Sequence, residues 1–128
     1  MKRHNLEVII AWLDALRRRD LQALRAALDP AVVWQGVRED LSCRGPDDVV
    51  AGFLAARDEG YDVDALEIIP APGHVVLGVR RAELQEIDGT PLHGEIYNVF
   101  TVADGTIKRI EDYADRDAAL AAANPASD

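Results

Sequence analysis

Along the chain the apolar positions recur first at helical spacing and then at a period of two. Between Asn5 and about Arg19, Leu6, Ile9, Ile10, Leu13 and Leu16 fall three and four apart on one helix face, with Asp14 and Arg18 paired on the other. A second helix is predicted from Asp20, a good N-cap residue, through Leu21, Leu24 and Leu28, and Pro30 must end it. The two form a helical hairpin. AVVWQ, residues 31–35, reads as a short strand and residues 36–45 as a polar loop. Pro46 suits the first position of a third helix, Asp47 and Asp48 suit its positive end, and Val49, Val50, Phe53 and Leu54 form its apolar stripe as far as Gly60.

Beyond Gly60 alternation takes over. It predicts strands at about 62–69, 74–86, 91–102 and 106–113, divided by Pro70-Ala71-Pro72-Gly73, Asp88-Gly89 and Asp104-Gly105. Residues 115–123 read as a short alanine-rich helix. Helices first and an antiparallel meander afterwards make an α+β pattern, and 128 residues without repeats or linkers make one domain, 1–128.

One alternation is unusual. Val75, Leu77 and Val79 share a strand face with Arg81 and Glu83, so a face that begins apolar ends in a charged pair. A two-residue turn at Asp88-Gly89 sets Arg81 opposite Ile96 and Val79 opposite Asn98, which makes this the inner face, shared with Phe100 and Val102. The last hairpin admits two registers. A three-residue loop with Gly105 left-handed brings Asn98 opposite Ile110 and Ile96 opposite Asp112. A two-residue loop turns Ile107, Arg109, Glu111 and Tyr113 inward instead. The first buries fewer charges and is preferred; it leaves Tyr97, Val99, Ile107 and Tyr113 on the outer face. It also puts Arg81 and Asp112 in one row, roughly 10 Å apart between backbones, within reach of a guanidinium. Two readings of the charged groups stand. They line an enclosed site, where burial of charge points to function, or they form an exposed ion pair at a fraying sheet end, with Asp112 capping the last helix.

Composition narrows the function. With 48% hydrophobic and 29% charged residues the chain is an ordinary globular one. A formal charge of −9 disfavours nucleic acid, whose binding needs a basic surface. The one basic run, Arg17-Arg18-Arg19, ends a predicted helix, where cations suit the macrodipole. No apolar run approaches the roughly 20 residues that span a bilayer, and no signal sequence is evident, so no membrane partner and a cytoplasmic location are expected. Cys43 is the lone cysteine, in a polar loop with no histidine nearby, and His4, His74 and His93 fall in no ligand spacing, so neither a metal nor another cofactor is expected.

Two helices, a strand, a third helix and a meander ending in VADGTIKRIEDYADRDAAL resemble the nuclear-transport-factor-2-like superfamily over nearly the whole chain. The most specific segment is F-x-V-x-D-G-x-I-x-x-x-x-D-Y-x-D, from Phe100 to Asp115. The resemblance implies a cone-shaped roll in which three N-terminal helices pack on a curved antiparallel sheet around an apolar pocket, and a homodimer through the outer sheet face. Tyr97 and Val99 would then be covered by the second chain. Within the superfamily, Arg81, Glu83 and Asp112 are similar to the arginine and two acids of limonene epoxide hydrolases, although Glu83 replaces an aspartate, and Trp34 and Gly36 replace the tyrosine and asparagine that help hold the water. In SnoaL-type polyketide cyclases an acid on the final strand transfers protons; Asp112 is similarly placed, with Asn98 as a polar partner. Ketosteroid isomerases need a tyrosine and two acids where Trp12, Gln35 and Asn98 stand, which makes that chemistry a poor match.

Either surviving chemistry uses the same residues. In epoxide opening Asp112 activates water, Glu83 protonates the oxygen and Arg81 holds both; in a cyclase or isomerase Asp112 removes a proton beside a carbonyl, with Asn98 or Arg81 steadying the enolate oxygen. Trp12, Trp34, Gln35, Phe53, Asn98 and Phe100 are the expected ligand contacts, and a small apolar molecule the expected partner. The alternative is a non-catalytic ligand-binding or assembly module of the same fold.

Overall fold

The computed structural model describes residues 5–37, 40, 42–58, 67–80, 86–87, 90–91 and 95–124. Helix α1 runs Asn5–Arg18, α2 Leu21–Ala26 and α3 Pro46–Asp58. Strands β1 (Leu28–Gln35) and β2 (Ser42–Arg44) lie among the helices. After them come β3 (Glu67–Ala71), β4 (His74–Arg80), the short pair β5 (Glu86–Ile87) and β6 (Thr90–Pro91), β7 (Glu95–Ala103) and β8 (Thr106–Tyr113), and then α4 (Arg116–Ala123). A curved, unclosed six-stranded sheet has the order β2-β1-β8-β7-β4-β3, and β5 and β6 pair separately.

The helical hairpin is built as its residues demand. Arg19 adopts a left-handed φ of 53°, with Arg19 N–H donating to Leu16 O and Asp20 N–H to Ala15 O, the paired bonds that close a helix C-terminus. The Asp20 carboxylate then accepts from Ala23 N–H at 3.1 Å and starts α2. The arginine run stays local: Arg18 pairs with Asp14 and Asp20, and Arg19 pairs with Asp58 on α3. Arg57 donates to the Leu16 and Arg17 carbonyls, so α3 supplies a cation to the negative end of α1. On α1, Val8 and Trp12 are buried with Ile9, Leu13 and Leu16, while Ile10, expected in the stripe, is 50% exposed. Leu28, expected in α2, opens β1.

The inner sheet face carries Val75, Leu77, Phe100, Val102, Ile107 and Ile110 against α1, α2 and α3, forming the main core. The outer face holds a second apolar cluster, in which Val76, Tyr97 and Val99 pack against Ala119 and Ala123 of α4. Tyr97 and Val99, expected to be covered by a second chain, are thus buried at 6% and 1% exposure by the chain's own last helix. Arg116 on α4 grips Glu67 of β3 with two hydrogen bonds, at 2.6 and 3.2 Å. Gly78 makes room for this layer: a Cβ there would lie 2.9 Å from the Tyr97 ring.

The last hairpin combines features of both expected registers. Asp104 and Gly105 have φ of 53° and 78°, the two left-handed residues of a type I′ turn, and Ala103 faces Thr106 across a two-residue loop. A bulge at Lys108 then adds one residue to β8, so Val102 opposes Ile107 but Thr101 opposes Arg109. Because the bulge reverses the alternation, Ile107 points inward, contrary to expectation, and so do Ile110 and Asp112. The row is shifted too: Asp112 opposes Asn98, not Ile96, and Phe100 opposes Ile110. On the other side Leu77 opposes Asn98 and Val79 opposes Ile96, whereas Ile87 opposes Thr90. A single two-residue turn cannot satisfy both pairings, so the expected partnership of Arg81 with Ile96 does not form. Arg81 and Glu83 themselves lie outside the described residues.

Candidate functional site

A cavity of about 360 Å³ opens between the inner sheet face and helices α1 and α3. Its walls are apolar: Leu13 and Leu16 come from α1, Phe53 and Ala56 from α3, and Leu77 and Phe100 from the sheet. Three aromatic rings fix one side. Phe53 stacks on Trp34 with centroids 4.1 Å apart and meets Trp12 edge-on at 5.3 Å. The close approach of α3 to Trp34 depends on Gly52, where a Cβ would lie 2.7 Å from the indole.

Polar groups gather where β1, β8 and β7 meet. Asn98, itself buried, donates through Nδ2 to Asp112 Oδ1 at 2.6 Å. Trp34 lies diagonally across the parallel β1–β8 pair, since it opposes Ile110, two residues before Asp112. Its buried indole N–H acts as a donor toward the Asp112 carboxylate and favours the charged form, although the geometry falls short of a full hydrogen bond. Trp12 Nε1 is buried and unpartnered. Enclosure by protein raises the Asp112 carboxyl to a pKa of about 6, and the Trp34 and Asn98 donors only partly oppose this. The group keeps some accessible surface because the cavity reaches it. An aspartate of this affinity exchanges protons near neutral pH, which suits a general acid or base.

The structure therefore brings Asp112, Asn98, Trp12, Trp34, Phe53 and Phe100 to one cavity. Gln35 is not among the residues lining it: alternation along β1 sets Gln35 opposite Glu111, and its side chain donates to Gly36 O at 3.4 Å. Arg81 and Glu83, outside the described residues, add nothing to this constellation.

Cys43 and Ser42 also line the cavity, and sequence reasoning missed both. Both belong to β2, which pairs antiparallel with β1 so that Cys43 opposes Trp34. Burial first, and then the charges of Asp48 and Asp112, push the Cys43 thiol pKa up, so the sulfur stays protonated and is a poor nucleophile. The spacing of Trp34 and Cys43 about Gly36 carries no strand signal, which is why the loop hid them.

The family model described as SnoaL-like domain matches residues 9–110. No curated protein matches the chain significantly. Among solved structures, a proposed polyketide cyclase from Sinorhizobium meliloti is 21% identical, with 84% of this chain and 94% of that one covered at a TM-score of 0.64. An LEH-like epoxide hydrolase from M. tuberculosis is 23% identical over 94% of this chain and 91% of its own, TM-score 0.62. An NTF2-like protein of unknown function from Cytophaga hutchinsonii is 11% identical over 94% and 97%, TM-score 0.65. At these identities the likeness is one of fold.

Proposed function

The chain belongs to the SnoaL-like family, and from that premise we propose that it is an enzyme in which Asp112 transfers a proton at a small, largely apolar substrate. The observation that carries this reading is a carboxyl group with a pKa of about 6 at the polar end of an otherwise apolar cavity. A shift of about two units above the ordinary 3.9 makes the aspartate a stronger base while leaving it mostly ionised at pH 7.5. Proton abstraction beside a carbonyl, the first step of cyclase and isomerase chemistry, needs one such base. Epoxide opening needs a second acid, and the described residues of the cavity supply Asp112 alone.

Solvent exchange tests this with simple carbonyl compounds standing in for the natural substrate. Enolisable ketones and 1,3-diketones incubated with the protein in D2O would gain deuterium beside the carbonyl, read by proton NMR. The parent should accelerate exchange and Asp112→Asn should abolish the acceleration, because the amide keeps the shape but cannot take the proton. Equal exchange by both, or by neither across the panel, overturns the proposal.

A further inference from the structure

Charge in the cavity is confined to two side chains: among the described residues lining it, Asp112 is the one acid and Arg57 the one cation. They do not pair with each other. Asp112 accepts from Asn98, while Arg57, near the end of α3, donates through Nη1 to the Leu16 and Arg17 carbonyls at 2.7 and 3.2 Å. Arg57 thereby differs from Arg18 and Arg19 close by, each of which is paired with a carboxylate. Its acceptors are neutral oxygens, and no carboxylate offsets its charge among the described residues. With Nη1 spent, Nε–H and Nη2–H remain. These two donors lie parallel on one edge of the guanidinium, the edge that fits both oxygens of a carboxylate.

We propose that this edge of Arg57 seats the carboxylate of an amphipathic acid, whose apolar body fills the cavity and whose far end reaches Asp112. This rests on the proton-transfer role of Asp112 for what happens at that far end, and adds the group by which the substrate is anchored. Arg57 follows Gly52, which packs on the Trp34 ring beside Asp112, by five residues of α3, so the anchor is set back roughly 7.5 Å along the helix from that ring. Leu13, Leu16, Phe53 and Ala56 line the cavity as well and favour hydrocarbon in the body of the ligand. An amide offers the guanidinium one oxygen and no charge, and an amine meets a like charge. Because α1 already holds Arg57 through Nη1, little side-chain freedom is lost when the other edge binds. Anchoring also orients the ligand: with its carboxylate fixed, the opposite end is the part presented to Asp112.

4-Phenylbutanoate, 4-phenylbutanamide and 4-phenylbutylammonium share one apolar body and differ in charge. Calorimetry with the parent near neutral pH should show the acid binding about tenfold or more tighter than the amide, and the ammonium no tighter than the amide. Arg57→Gln can still donate to the Leu16 carbonyl, and there acid and amide should bind alike, with the amide affinity unchanged. Arg57→Lys keeps the charge and loses the fork, so part of the preference should remain. In the parent itself the Arg57 Nε–H resonance, assigned by its loss from Arg57→Lys, should move downfield with the acid alone, a readout that does not depend on how well Arg57→Gln folds. Equal binding of acid and amide by the parent, as expected of a residue that only caps α1, overturns the proposal. So does tightest binding of the ammonium, a preference that survives in Arg57→Gln, or an unmoved Nε–H. Binding is read without turnover, so an acid preference kept in Asp112→Asn, alongside a parent that exchanges no deuterium, would condemn the catalytic reading of Asp112 and spare the anchor.

Discussion

Asn98 and Asp112 stand directly opposite one another on β7 and β8, and the Asn98 amide donates to the Asp112 carboxylate over 2.6 Å. A buried carboxylate with this donor is costly but tolerated; without it the charge is nearly unaccompanied. Asn98→Ala should raise the Asp112 pKa above its value of about 6 and move the acid limb of any pH profile with it. Stability at pH 8 should fall by about 1–3 kcal/mol, and by less at pH 5, where the carboxyl is protonated and needs the donor less. Urea denaturation at the two pH values measures both effects, and an equal loss at each would contradict the pairing.

The same group makes stability depend on pH in an uncommon direction. Its pKa is about 6 when folded and near 3.9 when unfolded, so between those values the folded chain binds more protons and stability declines as pH rises. Above the folded pKa the cost is complete. Asp112→Asn removes this dependence: relative to the parent, the variant should gain stability from pH 4 to pH 6.5 and then level off, with a total gain of up to about 3 kcal/mol. The slope is the prediction, since a fixed offset from re-pairing with Asn98 leaves it untouched. A difference that is flat with pH would show that Asp112 is not desolvated.

Much of this arrangement was legible in the chain, and the limits are physical. Periodicity marks α1, α3 and the strands that carry Phe100 and Tyr113, because a helix stripe and a strand alternation are each set within one element, whatever its neighbours. That Asp112 faces inward was also readable, but for an incomplete reason. The expected three-residue loop gives the right face in the wrong register; a two-residue turn and the bulge at Lys108 together set Asp112 opposite Asn98, and a bulge leaves no mark in the apolar pattern. Family resemblance points to Asn98 as a polar partner, while its pairing with Asp112 needs the true register. The parallel seam of β1 on β8, which brings Trp34 beside the acid, joins segments far apart in sequence. The alternation of Tyr97 and Val99 shows an apolar outer face and does not say that α4, tethered by only the short stretch after Tyr113, covers it.

Gly52 sets the depth of the site. Replacing a helical glycine with alanine ordinarily stabilises by up to about 1 kcal/mol, but the new methyl group would sit 2.7 Å from Trp34 Cζ3 and 3.3 Å from Cys43 Sγ. Overpacking of that kind costs about 1–3 kcal/mol, so the clash should win and Gly52→Ala should melt lower than the parent. The relief available is a displaced indole, which would also weaken ligand binding. Unchanged melting and affinity would mean that the α3 backbone yields freely.

On the outer sheet face two different forces hold α4 in place. Arg116 and Glu67 make a close bidentate pair, but both are solvent-facing, and such pairs contribute little in water. Ala119 and Ala123, by contrast, are fully enclosed against Val76, Tyr97 and Val99. If apolar contact is the principal attachment, Arg116→Ala should leave melting nearly unchanged. Ala119→Asp should free the helix, since an unpaired charge cannot remain in that cluster. The uncovered face would then bind a hydrophobic dye and promote association, seen by light scattering, while amide exchange in α4 rises toward that of an unstructured segment. Comparable loss in both variants would assign the docking to the ion pair instead, and a helix that stays protected in Ala119→Asp would show that the apolar cluster does not hold it.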